Sequence, residues 1–388
     1  MFMVLYSWSS SHHEFLGDSR TTAGHLGSSE LREWSSLSLI SQREHQVGSA
    51  PFGVSRENAD GQVMKVRAKY LRQACEKPEI RQIAPPRPWT KKRVILHPLP
   101  LCVAPKGGSI TWRTFLRELS YHVPGTRQDL KTLVSRHPLS RLASVYRDKY
   151  LNGSPLMAYN RTFKKITGST QTWRGRWVKY WLPALIHKGL IKPSPKFLKV
   201  INEASEAFKF VVKHINVSGH VNLNTSSKEV SSFTPSMLDL AKRMLLNGRN
   251  VGMVAAINAG YRGRENNKFQ RLFRNSSFSF VEFLEHVLWT WDLGLVDSHW
   301  TPVCELCDPC GANYSYILHL ENPTESAYLL SLLQTQNISL PKRHKSIGSP
   351  KNYSDLWYFK DVPEELMSKI HKLYRGDFDL FGYDENHI

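Results

Sequence analysis

The sequence predicts an α/β fold in which a central parallel sheet is flanked by helices. Two consecutive units each run from an apolar strand through a turn to a helix. The first unit has its strand within 94–103 and its helix at 113–121, and the second has its strand at 130–134 and its helix at 139–150. With 388 residues, 41% of them hydrophobic, the chain can bury a substantial core, which excludes a wholly disordered, collagenous or coiled-coil protein.

The remaining elements follow from apolar periodicity. Pro98 and Pro100 place a break or bulge in the first strand. Further along, the pattern predicts a helix, a strand and two more helices, at 278–290, 314–320, 325–333 and 363–374. The stretch 168–275 is harder to assign. Three tryptophans recur there every four residues, as on a core-facing side of a helix: Trp173, Trp177 and Trp181.

The composition changes near residue 92. Residues 1–92 are rich in Ser, Gly and Arg, have weak periodicity and end in the Pro-rich stretch 84–88. We expect this segment to be an extension or stalk that is largely irregular, apart from a short helix near 62–76. The ordered domain is expected to span 93–388.

Positive charge is concentrated in one part of the chain. Lys and Arg number 52 against 33 acidic residues, a formal net charge of +19, of which +17 falls between Arg93 and Lys199. Such an excess indicates a polyanionic partner: a phosphorylated cofactor, an acidic polysaccharide, an anionic membrane or a nucleic acid. Charge alone does not choose among these.

Glycosylation signals favour the lumen of the secretory pathway. Asn-x-Ser/Thr occurs eight times, at Asn152, Asn160, Asn216, Asn224, Asn275, Asn313, Asn337 and Asn352. Residues 1–8 are apolar but too short for a signal sequence, and no stretch reaches the roughly 18 apolar residues of a membrane span. The residues therefore suggest a lumenal protein without a visible anchor.

The turn of the first unit has the composition of an anion-binding loop. Lys106 lies beside Gly107 and Gly108, directly before a helix. Glycines let the backbone approach a phosphate closely, the helix N-terminus offers N–H groups, and lysine adds a mobile positive charge. The order differs from the Walker pattern, since the lysine precedes the glycines.

The second unit carries a resemblance to a known family. Residues 136–150 read Arg-His-Pro-Leu-Ser-Arg-Leu-Ala-Ser-Val-Tyr-Arg-Asp-Lys-Tyr. This string resembles the 3′-phosphate-binding motif of Golgi carbohydrate sulfotransferases, the group that contains the chondroitin, dermatan and N-acetylgalactosamine 4-sulfotransferases and the HNK-1 sulfotransferase. Further blocks at 297–302, 306–310 and 373–383 resemble the same group, in the same order.

The resemblance implies a P-loop-like sulfotransferase fold and transfer of sulfate from 3′-phosphoadenosine 5′-phosphosulfate to a glycan. It implies an anionic glycan acceptor, the Golgi lumen or membrane as location, and neither a metal nor a nucleic acid as partner. By this similarity the donor would be bound by two groups of residues: Pro105, Lys106, Gly107, Gly108, Ser109, Ile110 and Thr111 in the first turn, and Arg136, His137, Pro138, Arg141 and Ser144 in the second.

Two catalytic residues are predicted. Lys106 is assigned to stabilise the leaving group, and His299 is assigned as the base that accepts the acceptor proton, because imidazole titrates near neutral pH and lies in the Asp-x-His-Trp block. A structural role for His299 beside Trp300 stays open, as do His122 and His137 as alternative bases.

The sequence also departs from the family pattern. Ser109 stands at the position of the loop cysteine, followed by Ile110 and Thr111, and only 30 residues separate Lys106 from Arg136. The region 168–275 looks expanded. These departures keep a second interpretation open, an inactive sulfotransferase-like protein that binds anionic glycans. A nucleic-acid-binding protein is the third, suggested only by charge and aromatic content.

Three of the five cysteines are closely spaced. Cys304, Cys307 and Cys310 follow one another at intervals of three residues. A zinc site typically needs four ligands, so the fourth, such as Cys102, would come from a distant segment. In an oxidising lumen we expect instead a disulfide between two of the three, with the remaining one as a thiol.

Overall fold

Four strands form one sheet in a computed structural model of the chain, which describes residues 56–78, 80, 94–95, 98–121, 125–150, 180–214, 232–247, 250–261, 278–295, 297–333 and 355–385. The strands of these residues are β1 (Val94–Ile95), β2 (Leu101–Val103), β3 (Thr132–Ser135) and β4 (Tyr316–His319), side by side in that order. β2, β3 and β4 are parallel, with Cys102 opposite Leu133 and Leu133 opposite Ile317. The predicted central parallel sheet is confirmed.

The first predicted strand is in fact two strands. β1 and β2 run antiparallel, with Ile95 opposite Leu101, so the chain reverses direction between them. Pro98 and Pro100 lie in the connection. Neither has an N–H group to donate to a sheet, so the connection turns instead of continuing the strand.

Helices flank the sheet, as the alternating pattern predicts. In the described part of the chain they are α1 (Arg56–Ala74), α2 (Ser109–Leu119), α3 (Pro138–Lys149), α4 (Leu182–His187), α5 (Pro195–Lys213), α6 (Pro235–Asn247), α7 (Asn250–Gly260), α8 (Phe280–Asp292), α9 (Val303–Cys307), α10 (Pro323–Ser331) and α11 (Glu364–Phe381). α11 extends beyond the predicted 363–374 and ends where Gly382 adopts a φ of 67°, which a residue without Cβ accommodates readily. None of the described helices has the length and apolar composition needed to cross a membrane.

Successive strand residues alternate between two apolar layers, as the pleat requires. One layer joins the strands to α2 and α10 and includes Leu101, Val103, Val134, Leu318, Trp112 and Leu329. The other joins them to α9 and the end of α11 and includes Cys102, Leu133, Ile317, Cys307 and Phe381. The sheet is therefore covered on both faces, as expected for parallel strands.

Helix α1 lies against the edge strand β4. Arg67 donates to the Ile317 carbonyl at 3.3 Å and to the two carboxylate oxygens of Glu325 at 2.9 and 2.8 Å. Burial raises the pKa of Glu325, although Arg67 acts in the opposite direction. The segment 1–92 thus contributes a helix to the core, overlapping the helix expected near 62–76, and the residues from Glu57 onward group into one compact unit.

A second, mainly helical core lies beside the sheet. It contains the buried faces of α3–α8 and α11, and α5 packs against both α6 and α7. The helices α4–α7 fall within the stretch 168–275 that resisted assignment. Trp181 is fully buried here, as the core-facing pattern predicts, and it donates through Nε1 to the Lys149 carbonyl at 3.0 Å. Trp173 and Trp177 lie outside the described residues.

Two disulfides connect segments that are far apart in the chain. Cys75 pairs with Cys310, and Cys102 of β2 pairs with Cys307 of α9. The expectation that two of the three closely spaced cysteines pair with each other is wrong, because tertiary packing brings an earlier cysteine to each of two of them. Cys304 is a buried thiol. The sulfurs of Cys307 and Cys310 are committed to disulfides and do not form the zinc site that their spacing also suggested.

Replacing Cys102 and Cys307 together by serine should lower the free energy of unfolding by about 2–5 kcal/mol, since the bridge closes a long loop and ties α9 to the sheet. Urea denaturation would measure the change. Cys304→Ala, which leaves both bridges intact, is the control. A double variant as stable as that control would contradict the assigned pairing.

Candidate active site at the carboxyl edge of the sheet

The three parallel strands end at one edge of the sheet, and chemically active residues follow each of them. β2 leads into the turn of Lys106, β3 into Arg136, and β4 into Glu321. The second turn is tied to the third strand, because the backbone N–H of His137 donates to Glu321 at 2.9 Å. In open α/β sheets, the crevice at the carboxyl ends of the strands is the usual ligand site.

The first turn is shaped to accept an anion. Lys106 and Gly108 adopt positive φ values of 70° and 80°, and the N–H of Gly107 donates to the Ala104 carbonyl at 3.0 Å. A Cβ at Gly107 would lie 3.1 Å from that carbonyl oxygen, so the turn has little room for a side chain there. α2 begins directly after Gly108, and no side chain caps it. Its first N–H groups therefore face the turn without an intrahelical partner.

Lys106 is held by a carboxylate at the end of α3. Its Nζ lies 3.2 Å from Asp148 Oδ2, and Nζ of Lys149 lies 2.9 Å from the same oxygen. Burial lowers the pKa of Lys106, Asp148 opposes this shift, and the cations Lys149 and Arg136 add to it. The site therefore gathers several positive charges around one carboxylate, which favours a further anion.

The second turn contains Arg136, which joins the two predicted donor-binding turns. Its Nη1 donates to the Lys106 carbonyl at 3.0 Å, and its Nη2 donates to Asp355 at 3.3 Å. α3 then starts with Pro138, where a missing N–H costs no helical hydrogen bond. Ser144, the other predicted contact for the 3′-phosphate, lies on α3 three residues before Arg147, and this spacing puts both on one side of the helix.

Arg141 has a different position from the one expected of a donor ligand. Its side chain is only 1% exposed, and its three nitrogens donate to the carbonyls of Pro105 at 3.1 Å, Thr301 at 2.7 Å and Ser298 at 3.1 Å. It therefore positions the first turn against the segment 298–301. We assign it a positioning role and not the direct contact with the donor that the family resemblance implies.

His299 lies in an oriented hydrogen-bond arrangement. Nδ1 of His299 is 2.5 Å from Asp297 Oδ1 and 3.4 Å from the Tyr180 hydroxyl, and the same carboxylate oxygen accepts the His299 backbone N–H at 2.8 Å. Burial alone would raise the pKa of Asp297, but His299 and Lys149 outweigh it and lower the pKa to about 2. The carboxylate is thus ionised and fixes the Nδ1–H tautomer, which leaves Nε2 as the basic nitrogen.

A chain of contacts links His299 to Lys106 through residues that sequence reasoning missed. Nζ of Lys149 lies 5.0 Å from the centre of the Tyr180 ring, and Tyr180 contacts His299, while Lys149 shares Asp148 with Lys106. Asp148 and Lys149 fall inside the motif 136–150 and could have been found from it. Tyr180 precedes the buried Trp181, and nothing in the sequence marks it as a site residue.

His137, one of the two alternative bases, is not part of this arrangement. His137 is buried, packs between Phe378 and Tyr383, and contacts the Asp384 carbonyl through Nε2 at 3.1 Å. Its surroundings are those of a core residue beneath the second turn. His122 lies outside the described residues.

The segment that carries His299 is also held from the C-terminal helix. Asp377 of α11 accepts the backbone N–H groups of Val303 and Cys304, each at 2.7 Å, and so caps the short helix α9. Tyr374 donates to the Trp300 carbonyl. The blocks near residues 300 and 380 therefore form one packed unit with the site.

The fold and the site together define an α/β protein whose sheet edge carries Lys106, Arg136 and an oriented histidine. The pattern of the sulfotransferase family matches residues 109–384, so the chain belongs to that family and has its P-loop-like fold. The match covers α2 through the end of α11, and thus every element of the site except the first turn up to Gly108.

Curated relatives agree with this placement. The chain is 31% identical to carbohydrate sulfotransferase 12 of Mus musculus over 109 residues, 27% identical to carbohydrate sulfotransferase 14 of Danio rerio over 107, and 28% identical to carbohydrate sulfotransferase 9 of Homo sapiens over 119. These segments cover 27–29% of this chain and 26–29% of the relatives, so the chain spans little more than a quarter of their length. No solved structure gave a significant match.

Arg141→Lys should destabilise the protein by about 2–4 kcal/mol, because a single ammonium cannot replace three fixed N–H donors and leaves buried carbonyls unpaired. Thermal or urea unfolding would measure the loss. Arg113→Lys, on the exposed side of α2, is the matched control and should change little. Equal stability of the two variants would show that the Arg141 contacts do not hold the turns together.

Proposed function

We propose that the chain is a carbohydrate sulfotransferase, which transfers a sulfuryl group from 3′-phosphoadenosine 5′-phosphosulfate to a hydroxyl of a glycan. The observation that supports the proposal is that Lys106 and His299, which is oriented by Asp297, are linked through Asp148, Lys149 and Tyr180 in a chain of the sulfotransferase family. The acceptor we propose is a chondroitin/dermatan-type or N-acetylgalactosamine-containing glycan, carried over from the resemblance.

The donor fits the chemistry of the two turns. The first turn, with Lys106 and the uncapped N-terminus of α2, would hold the 5′-phosphosulfate. Arg136 and Ser144 would hold the 3′-phosphate. Gly107 fits this assignment, because a Cβ there would lie 3.1 Å from the Ala104 carbonyl oxygen and would crowd the tight turn that precedes α2.

The residues supply what an in-line transfer needs. The acceptor oxygen bonds to sulfur as the bond between sulfur and the 5′-phosphate oxygen breaks, and the hydroxyl proton passes to Nε2 of His299. Lys106 and the α2 N–H groups neutralise the charge that develops on the departing phosphate. Burial lowers the pKa of His299, although Asp297 acts against the shift, so the imidazole is neutral and able to accept a proton at pH 7.

The disulfides, the glycosylation signals and the charge of the chain support a Golgi lumenal enzyme. Two disulfides and eight glycosylation signals fit an oxidising secretory compartment. The +17 segment contains both donor-binding turns, and its surplus charge would attract an acidic sugar polymer. Its basic stretch 161–179 lies outside the described residues. Nucleic acid is not needed to account for the charge.

An acceptor screen with a labelled sulfate donor tests the proposal. Desulfated chondroitin, dermatan, heparan and glycans ending in N-acetylgalactosamine or glucuronate are compared, and we expect transfer to the chondroitin/dermatan or N-acetylgalactosamine group. Transfer only to heparan would overturn the proposed acceptor. Binding of these glycans without transfer to any of them would favour the inactive, glycan-binding interpretation that the altered residues Ser109–Thr111 suggest.

His299→Ala should lower kcat by about 10²–10⁴-fold while the affinity for adenosine 3′,5′-bisphosphate stays unchanged, because the base acts on the acceptor and does not hold the nucleotide. Asp297→Asn should also lower kcat, since the amide no longer fixes the Nδ1–H tautomer. Steady-state kinetics and calorimetric titration measure the two quantities separately. His214→Ala, at the C-terminal end of α5, is the control.

The pH profile provides a second measurement on the same residue. The base works only when neutral, and its pKa lies below the usual value of about 6.5, so the rate should be flat near pH 7 and fall as the pH drops below 6.5. A rate that falls already between pH 8 and 7, or full turnover by His299→Ala, would remove His299 from the mechanism.

A further inference from the structure

Two arginines of the second donor-binding turn share one carboxylate of this chain. Asp355 begins a 3₁₀ turn (Asp355–Phe359); its Oδ2 accepts Nη2 of Arg136 at 3.3 Å, and its Oδ1 accepts Nη1 of Arg147. The three side chains are mostly buried, with 19%, 7% and 17% of Arg136, Arg147 and Asp355 exposed. Two guanidinium groups bind a phosphate through the same charge-assisted hydrogen bonds that they form here with the carboxylate. Asp355 therefore occupies a position that also suits a phosphate.

The pair of arginines has unused capacity for an anion. Nε of Arg147 is buried, and within the described residues no acceptor lies in hydrogen-bonding distance of it. Arg147 also shares one side of α3 with Ser144, whose hydroxyl is assigned to the 3′-phosphate. The carboxylate has two oxygens and one negative charge, whereas a phosphate monoester has three terminal oxygens and up to two charges. The phosphate would therefore form more hydrogen bonds and a stronger ionic interaction with the two arginines.

We propose that Asp355 is an internal competitor for the 3′-phosphate of the nucleotide: its carboxylate holds Arg136 and Arg147 in the free protein and must leave them when a 3′-phosphorylated ligand binds. Arg147 thereby becomes a further residue of the 3′-phosphate site. The inference rests on the proposed function, because it takes Arg136 and Ser144 as contacts of that phosphate.

The fold indicates how the carboxylate leaves. Tyr358, in the same turn, packs against Tyr146 of α3 and Phe280 of α8, and Phe359 also contacts Phe280. The end of the turn is therefore anchored in the helical core, while Asp355 stands at its first position. Rotation of the Asp355 side chain away from the arginines is sufficient, and no movement of the anchored residues is required.

Competition of this kind has a consequence for turnover. Donor and product carry the same 3′-phosphate, so a carboxylate that returns to the arginines weakens the binding of both and speeds release of the bisphosphate product. Product release limits the rate of many transferases and other enzymes. The affinity for the donor falls by the same factor as the affinity for the product.

The test compares two nucleotides on the full chain by calorimetric titration. Asp355→Asn should bind adenosine 3′,5′-bisphosphate roughly tenfold more tightly than the unmodified protein, the change expected when one partly buried competing charge is removed. Its affinity for adenosine 5′-monophosphate, which lacks the 3′-phosphate, should not change. Asp361→Asn, which removes the same charge from an exposed position just after the turn, should leave both affinities unchanged.

The possible results separate this inference from the proposed function. Bisphosphate affinity that is weakened or unchanged in Asp355→Asn overturns the competitor role, and so does an equal gain for both nucleotides. If that variant does not fold, Asp355→Ser takes its place with the same expectation. An unmodified protein whose bisphosphate affinity is no greater than that of Arg136→Ala contradicts the proposed donor site itself.

Discussion

The buried guanidinium of Arg141 is the contact on which the site depends. A charged group with almost no exposure is stable only when its N–H groups are paired, and here three main-chain carbonyls pair with it. One carbonyl belongs to the turn after β2, and two belong to the segment that carries His299. Because the guanidinium is rigid and planar, it fixes the distance between these two segments. Local chain geometry alone does not specify that distance, since about 160 residues separate Arg141 from Thr301.

Other contacts restrain the same segment from different directions. Asp377 caps α9 from α11, and the Cys102–Cys307 disulfide ties α9 to β2. The backbone on both sides of His299 is therefore held before any ligand arrives. An oriented general base needs such support, because small errors in its position lower the rate steeply. The distant motifs near residues 300 and 380 lie together for this physical reason: one carries His299, and the other supplies the groups that hold its backbone in place.

Much of the fold was predictable because its signals are local. Apolar periodicity located the strands of the parallel sheet and the helices that follow them, and the glycines beside Lys106 marked the tight turn after β2. Several of the missed features depend on pairs of residues far apart in the chain. The spacing of Cys304, Cys307 and Cys310 suggested a local disulfide, whereas each bridge reaches back more than 200 residues. Asp355 gave no signal either, since only tertiary packing places it between two arginines.

The charge of the chain can now be interpreted at the level of single contacts. A net charge of +19 describes the electrostatic field that an approaching polyanion meets. The cations of the two turns, however, are paired with carboxylates of the chain. Lys106 pairs with Asp148, and Arg136 pairs with Asp355. Holding like-charged groups together without an anion would be costly in a partly buried site, so carboxylates of the chain neutralise part of that charge in the free protein. A ligand that binds there exchanges ion pairs with the protein for ion pairs with itself, and its affinity reflects the difference between the two sets. An anion with more charge and more acceptor oxygens than a carboxylate gains most from that exchange, and a phosphate monoester is such an anion.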